Sequence, residues 1–230
     1  MSQAGFVLPR GESRWVQRHV PDGTLLAHTK RNLERDRAMK KEQGFTLLEL
    51  VITIVILSVL LGLAIPGFSR WIPNYRLRSA ARDIYSNLQY AKMTAVKDRA
   101  GCGLLFDVTG SRYRVVSSGP NRNFESTSSS ISGDDVVLKT VNLSEYGSGV
   151  VYGPGSATGS IEAGGFDNNV TFAGDGIVFD SRGMVLGPTG STSTGGYAYL
   201  QNNRNGAFGV GVLSGGVVVL RRWTGTAWQQ

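Results

Sequence analysis

Histidine and cysteine are almost missing from this chain of 230 residues, which holds two histidines, His19 and His28, and one cysteine, Cys102. A single cysteine makes no intrachain disulfide, so a disulfide scaffold is excluded. Both histidines precede Gly44. The chain beyond that glycine therefore has no His-based triad, no Cys–His pair and none of the usual zinc ligand sets. Cys102 lies between Gly101 and Gly103 and reads as a small packing residue. A phosphate loop of the G-x-x-x-x-G-K-[ST] type is also lacking, so any energy-consuming step belongs to a partner. Carboxylates are present, but Asp134, Asp135, Asp175 and Asp180 sit in Gly/Ser-rich sequence where turn formation accounts for them. Asp167-Asn168-Asn169 and Asp175-Gly176 offer hard oxygen ligands for Ca²⁺, yet their spacing is not that of an EF-hand. No enzymatic activity, cofactor or metal centre is expected.

The formal charge of +7 suggests a nucleic-acid partner until it is divided by region. Residues 1–44 hold nine of the 24 Lys/Arg and five of the 17 Asp/Glu, so most of the basic excess lies there. The remainder of the chain is close to balanced.

One apolar run dominates what is present. From Phe45 to Ile65, 21 residues carry one charge, Glu49. As a helix, at ~1.5 Å per residue, that run is about 30 Å long and matches the hydrocarbon thickness of a bilayer. It exceeds a secretory signal's apolar region, and no small-residue cleavage site follows it. Lys40 and Lys41 precede it, which keeps the N-terminus cytoplasmic and sends the rest outward. Glu49 is the anomaly, because an acid at the centre of a span costs about 2.5–3.5 kcal/mol.

Lys40-Lys41-x-x-Gly44-Phe45-Thr46-Leu47-Leu48-Glu49, followed by apolar sequence, closely resembles the signal of type IV prepilins and type II secretion pseudopilins. That resemblance implies cleavage after Gly44 by a prepilin peptidase and N-methylation of the new terminus at Phe45. It assigns Glu49 to assembly, neutralising the N-terminal ammonium of a neighbouring subunit. Two charges that are each costly at the membrane edge become cheaper together. Residues 1–44 are then a removed leader. Met39 to Gly44 alone has the length of an ordinary basic leader, so translation is expected to start at Met39, with residues 1–38 an artefact of start-site choice. A long cytoplasmic leader beginning at Met1 is the alternative.

Pro66 and Pro73 should kink or loosen the helix that follows the span. From there Leu77, Ala81, Ile84, Leu88, Ala91 and Ala95 recur at steps of three and four, on one helical face. The expected helix runs from Phe45 to about Arg99, with Gly101 as its stop. Transmembrane residues 45–65 lead into an amphipathic spine over 66–100 and a β-rich head over 101–230. Strands are expected at Leu104–Phe106, Tyr113–Val116, Val136–Leu143, Val170–Phe172, Ile177–Phe179, Met184–Leu186, Tyr197–Leu200, Phe208–Leu213 and Val217–Trp223. Ser117–Asp135 and Gly187–Gly196 read as mobile loops. The fold class is α+β, pilin-like, a long N-terminal helix packed on an antiparallel β-sheet head.

The helix texture around Leu77–Asp83, together with Tyr90–Val96 and Phe179-Asp180-Ser181-Arg182-Gly183, resembles the GspH/FimT branch. That branch implies a minor subunit in the tip complex of a periplasmic or surface fibre, added from a single-pass inner-membrane position with its head in the periplasm. Its partners would be the prepilin peptidase, major and other minor pilins or pseudopilins, and the inner-membrane assembly platform with its cytoplasmic ATPase. The function expected is protein secretion through a type II pseudopilus, or assembly of a type IV pilus. The alternative is DNA capture, with Arg221, Arg222 and Trp223 supplying phosphate contacts and base stacking. Against that stands a charged edge strand, with Trp223 and Trp228 packed in a terminal hairpin.

Overall fold

In the computed structural model the described residues are 44–147, 149–162, 165–166, 169–190 and 193–230; the side chains of residues 65–67 and 70 are not described. The leader, the start at Met39 and the Asp167-Asn168 part of the Ca²⁺ candidate lie outside the described residues. The chain divides into two compact units, Met1–Leu57 and Ser58–Gln230. Helix α1 (Leu47–Asp98) contributes to both.

The described part of the first unit is Gly44–Thr46, which is not helical, and the opening turns of α1. Every described side chain there is exposed, although most are large and apolar. Leu47–Ala64 is an 18-residue stretch long and apolar enough to cross a membrane.

In the second unit α1 changes character. Leu77, Ala81, Ile84, Leu88, Ala91 and Ala95 are all buried to 1% exposure or less, with Ala80 and Asn87 beside them. This is the 3–4 periodicity legible in the sequence. Each fully buried Leu or Ile contributes about 1.5–3 kcal/mol.

The helix ends differently from expectation. Arg99, not Gly101, takes the left-handed position at φ 51°, and the Ala100 N–H donates to the Ala95 carbonyl at 3.2 Å. That is the closing bond of a Schellman motif, with arginine in the place glycine usually fills. Helical backbone also continues through Pro66 and Pro73. Each proline removes one ladder bond, and the flanking turns outlast that loss.

Among the described residues ten strands follow: β1 (Cys102–Asp107), β2 (Arg112–Ser117), β3 (Val136–Asn142), β4 (Val151–Tyr152), β5 (Gly176–Phe179), β6 (Val185–Leu186), β7 (Gly195–Gln201), β8 (Ala207–Leu213), β9 (Val218–Trp223) and β10 (Trp228–Gln229). They form two five-stranded sheets, in the orders β3-β2-β1-β5-β6 and β10-β9-β8-β7-β4. All pairings are antiparallel. One core joins the buried face of α1 to both sheets, through Phe106 and Ile177 of the first and Leu200 and Val210 of the second. The expected α+β architecture is present, with a head of two sheets.

Val170–Phe172 is not a strand; only Val170 bridges, to Ala198. The loop Ser117–Asp135 is pinned by carboxylates. Asp135 accepts from the N–H groups of Glu125 and Ser126 at 2.9 and 2.7 Å, and Asp134 accepts from that of Asn121 at 2.9 Å.

On the other side of the second sheet, Tyr197, Tyr199 and Val219 form a smaller cluster with Ile161, Phe166 and Trp228. Glycine in β8 makes room for these rings. A Cβ at Gly211 would lie 2.4 Å from the Tyr197 ring, and one at Gly209 would lie 3.4 Å from that of Tyr199.

Candidate functional site

The N-terminal candidates sit on a well-formed helix start. Thr46 Oγ1 accepts the Glu49 N–H at 3.1 Å, and the Thr46 carbonyl accepts the Leu50 N–H at 3.1 Å. Thr46 is thus the N-cap and Glu49 the third helical residue, the Thr-x-x-Glu spacing of a capping box. A carboxylate in the first turn also faces the positive end of the helix dipole, which offsets part of the cost of an acid in an apolar span. Phe45 is 80% exposed, and among the described residues nothing lies within 4 Å of where a Cβ on Gly44 would point. The Gly44–Phe45 bond therefore lies just outside the helix, in open chain. Among the described residues the Glu49 carboxylate has no ion-pair partner.

In the head, Cys102 opens β1 fully buried, and burial pushes its thiol up to about 12, with the charge of Asp98 adding to the effect. It is an inert packing group. Asp180 accepts the N–H groups of Arg182 and Met184 at 2.8 and 2.9 Å and the Arg182 guanidinium at 3.0 Å. It closes the β5–β6 turn. Burial alone would raise its carboxyl, but these donors hold it below the usual range. Asp175 ends a single 3-10 turn at φ 54°. Among the described residues no group of three or more His, Cys, Asp or Glu side chains comes together as a metal site.

Strand pairing separates the DNA candidates. Alternation along β9 places Val218, Leu220 and Arg222 toward α1, while Val219, Arg221 and Trp223 fall on the opposite face. The Trp223 ring packs on Trp228 at 5.4 Å, in the terminal hairpin, and Arg221 Nε is buried without a hydrogen-bond partner among the described residues. Arg221 and Arg222 therefore do not share one surface, and the Trp223 ring is taken up by the hairpin. Arg204 is exposed in the β7–β8 turn.

The main polar feature of the head is one that sequence reasoning missed. Asp83 on α1 accepts hydrogen bonds from the hydroxyls of Tyr113, at 2.7 Å, and Tyr146, and lies 3.5 Å from Lys139 Nζ. Asn87, one turn later, donates to the Tyr113 hydroxyl at 2.8 Å and accepts from Lys139 at 3.3 Å. The network ties the helix to β2, β3 and the turn after β3. Burial alone would raise the Asp83 carboxyl, but the hydroxyls of Tyr146 and Tyr113 and the charge of Lys139 outweigh it and hold the group low. Burial, with the carboxylate beside them, pushes both tyrosines upward. Asp83 and Asn87 at i, i+4 on the flank of the apolar stripe were the available signal.

Comparison with protein families matches residues 39–65 to the prokaryotic N-terminal methylation motif. The chain thus carries a prepilin-like N-terminal segment. Among solved structures, the type IV minor pilin FimU of Pseudomonas aeruginosa aligns over 70% of this chain and 97% of its own, at 16% identity and a TM-score of 0.39. No curated protein sequence matches the chain.

Proposed function

We propose that the chain is a non-catalytic minor subunit of a type II secretion pseudopilus or type IV pilus, made as a prepilin and anchored by the apolar part of α1. The observation that carries this reading is the methylation motif at 39–65 on a capped helix that leaves the Gly44–Phe45 bond outside the helix and accessible. A peptidase needs a non-helical substrate strand, and the N-cap at Thr46 supplies one immediately before regular helix begins. Cleavage removes residues 1–44 and leaves Phe45 as the methylated terminus. Glu49 then stands in the first turn of the mature helix, available to the ammonium group of an adjacent subunit. The span holds the subunit in the inner membrane, and the head, on the periplasmic side, joins the tip of the fibre with other minor subunits.

The test is the intact mass and N-terminal sequence of the subunit extracted from its native membrane. N-methylphenylalanine from Phe45 is expected. A chain that begins at Met1 or Met39 removes the basis of this reading. Gly44→Glu should leave the precursor uncut, and Glu49→Val should be cut but absent from purified fibres.

A further inference from the structure

A strand at the rim of a sheet turns half of its backbone N–H and C=O groups away from its one neighbour, and those groups can pair with another chain. Two edges of the head are protected. β3 has a register shift against Val115 and Val116 of β2 and turns Lys139 inward to Asp83, two devices that discourage pairing. β7 pairs with β4 at two residues, and farther along its edge is taken up. There the Thr171 N–H donates to the Tyr197 carbonyl at 2.8 Å and the Tyr199 N–H to the Asn169 carbonyl at 2.8 Å.

β9 is half covered. β10 pairs with it at Arg222 and Trp223 only, whereas β8 pairs with it without a break from Val218 to Arg222. The Leu213 N–H donates to the Val217 carbonyl at 2.9 Å, which fixes that carbonyl toward β8. Backbone groups alternate sides along an antiparallel strand, so Val219 and Arg221 also face β8, while Val218 and Leu220 turn theirs to the open side. The Thr224 N–H has the same parity, and it donates toward β10, to Ala227 at 3.0 Å. Among the described residues the outward groups of Val218 and Leu220 have no partner. Residues 217–220 read Val-Val-Val-Leu, with no charge or proline to guard the edge.

Beside this edge, α1 and β9 enclose a groove made of two clefts, of about 420 and 560 Å³, which share Arg82, Leu220 and Gln230. Its lining is apolar at Leu77, Phe208 and Val217, the last 55% exposed. Arg78, Arg82 and Arg222 also line it, and no Asp or Glu does.

These features select an occupant. Only extended polypeptide matches a row of open backbone donors and acceptors, and pockets beside the edge then read alternate side chains. An apolar groove with cationic walls suits a segment whose groove-facing residues are apolar and acidic. The same strand from a second copy would bring its own Arg221 and Arg222, placing like charge near like.

We infer that the open edge of β9 accepts an extended, acidic segment of a different fibre subunit as an added strand in line with β10. It would hydrogen-bond to Val218 and Leu220, with a carboxylate reaching Arg82. This rests on the fibre-subunit reading and names a docking edge for it.

The experiment is amide hydrogen exchange of the full chain, in detergent and in purified fibres, resolved by residue with mass spectrometry. Val219 and Arg221 should be protected in both states. Val218 and Leu220 should exchange freely in detergent and slow in fibres by about tenfold or more, one hydrogen bond each. Arg82→Glu should melt as the parent does, yet its content in fibres should fall by about tenfold or more. A chain absent from fibres sinks the subunit reading and this edge with it. A chain present in fibres whose Val218 and Leu220 still exchange freely sinks the edge alone. Protection that grows in detergent with protein concentration would assign the edge to a second copy, and protection complete in dilute detergent would assign it to the chain itself. Either result overturns the assignment to a different subunit. Arg82→Glu incorporated as well as the parent overturns the acidic partner.

Discussion

Two stretches of α1 use the same residue types to opposite ends. Over Leu47–Ala64 leucine, isoleucine and valine point in every direction and all are exposed, whereas over 77–95 the apolar residues of one stripe are buried. A helix that is apolar all round needs an apolar solvent, and one with a stripe needs a partner surface. The first stretch is fitted to lipid and the second to the two sheets. Burial alone therefore does not rank these residues by importance, because the medium differs.

The largest expected effect breaks that symmetry directly. Leu88→Asp places a carboxylate in the core without a partner and should cost about 4 kcal/mol or more, enough to abolish cooperative melting of the head. Ile56→Asp should leave head melting in detergent unchanged and instead weaken membrane retention, at about 2.5–3.5 kcal/mol for an acid inside a span. Circular dichroism melts and membrane fractionation separate the two. Equal loss of melting in both variants would show that the apolar stretch is part of the folded core.

Gly211→Val carries the comparison into the sheet. A Cβ there lies 2.4 Å from the Tyr197 ring and 2.5 Å from the Gly196 carbonyl oxygen, so the ring or the β7–β8 pairing must shift. We expect a loss of about 2–3 kcal/mol in denaturant melts. The neighbouring Val212→Ala removes a side chain from the helix-facing core, and its loss should be smaller, about 1–2 kcal/mol.

The helical stripe was legible because 3.6-residue periodicity is local, and so were most strands, because alternation is local too. Sheet order was not, since β1, besides its hairpin partner β2, pairs with β5 and so joins residues over 70 positions apart. The two-residue strands β4 and β10 are too short to show any alternation. Val170–Phe172 has β-prone composition but finds a partner at one residue only. At the candidate sites, the Gly44–Glu49 signal is contiguous and could be read whole. The Arg221–Arg222–Trp223 candidate was contiguous in sequence as well, but alternation along β9 puts Arg222 and Arg221 on opposite faces.

Asp83→Asn tests what fixes the helix on the sheets beyond apolar contact. It keeps the shape but removes the charge that Tyr113, Tyr146 and Lys139 surround, at a cost of about 2 kcal/mol near neutral pH. Because the folded carboxyl lies below its ordinary value, this stabilisation is present above about pH 4 and is lost as pH falls through the folded value. Denaturant melts at pH 7 and pH 3 should thus show a smaller acid loss in the variant than in the parent. An equal loss would assign the acid sensitivity to Asp107 and Asp180, whose carboxyls are also held low.

The smallest effect has the opposite sign. Arg99 closes α1 at φ 51°, a conformation in which a side chain is strained and glycine is not. Arg99→Gly should relieve that strain at the cost of a freer unfolded chain, for a net gain of about 0.5–1 kcal/mol. The arginine is exposed and lines an open cleft at the helix end with Arg122, itself at φ 62°. Neither side chain makes an ion pair that would compensate the backbone within the described head. A higher melting temperature for Arg99→Gly would show that the stop is set by backbone geometry alone. A lower one would show that the guanidinium contributes more to the helix end than its backbone costs, as a cation near the negative pole of the helix dipole does.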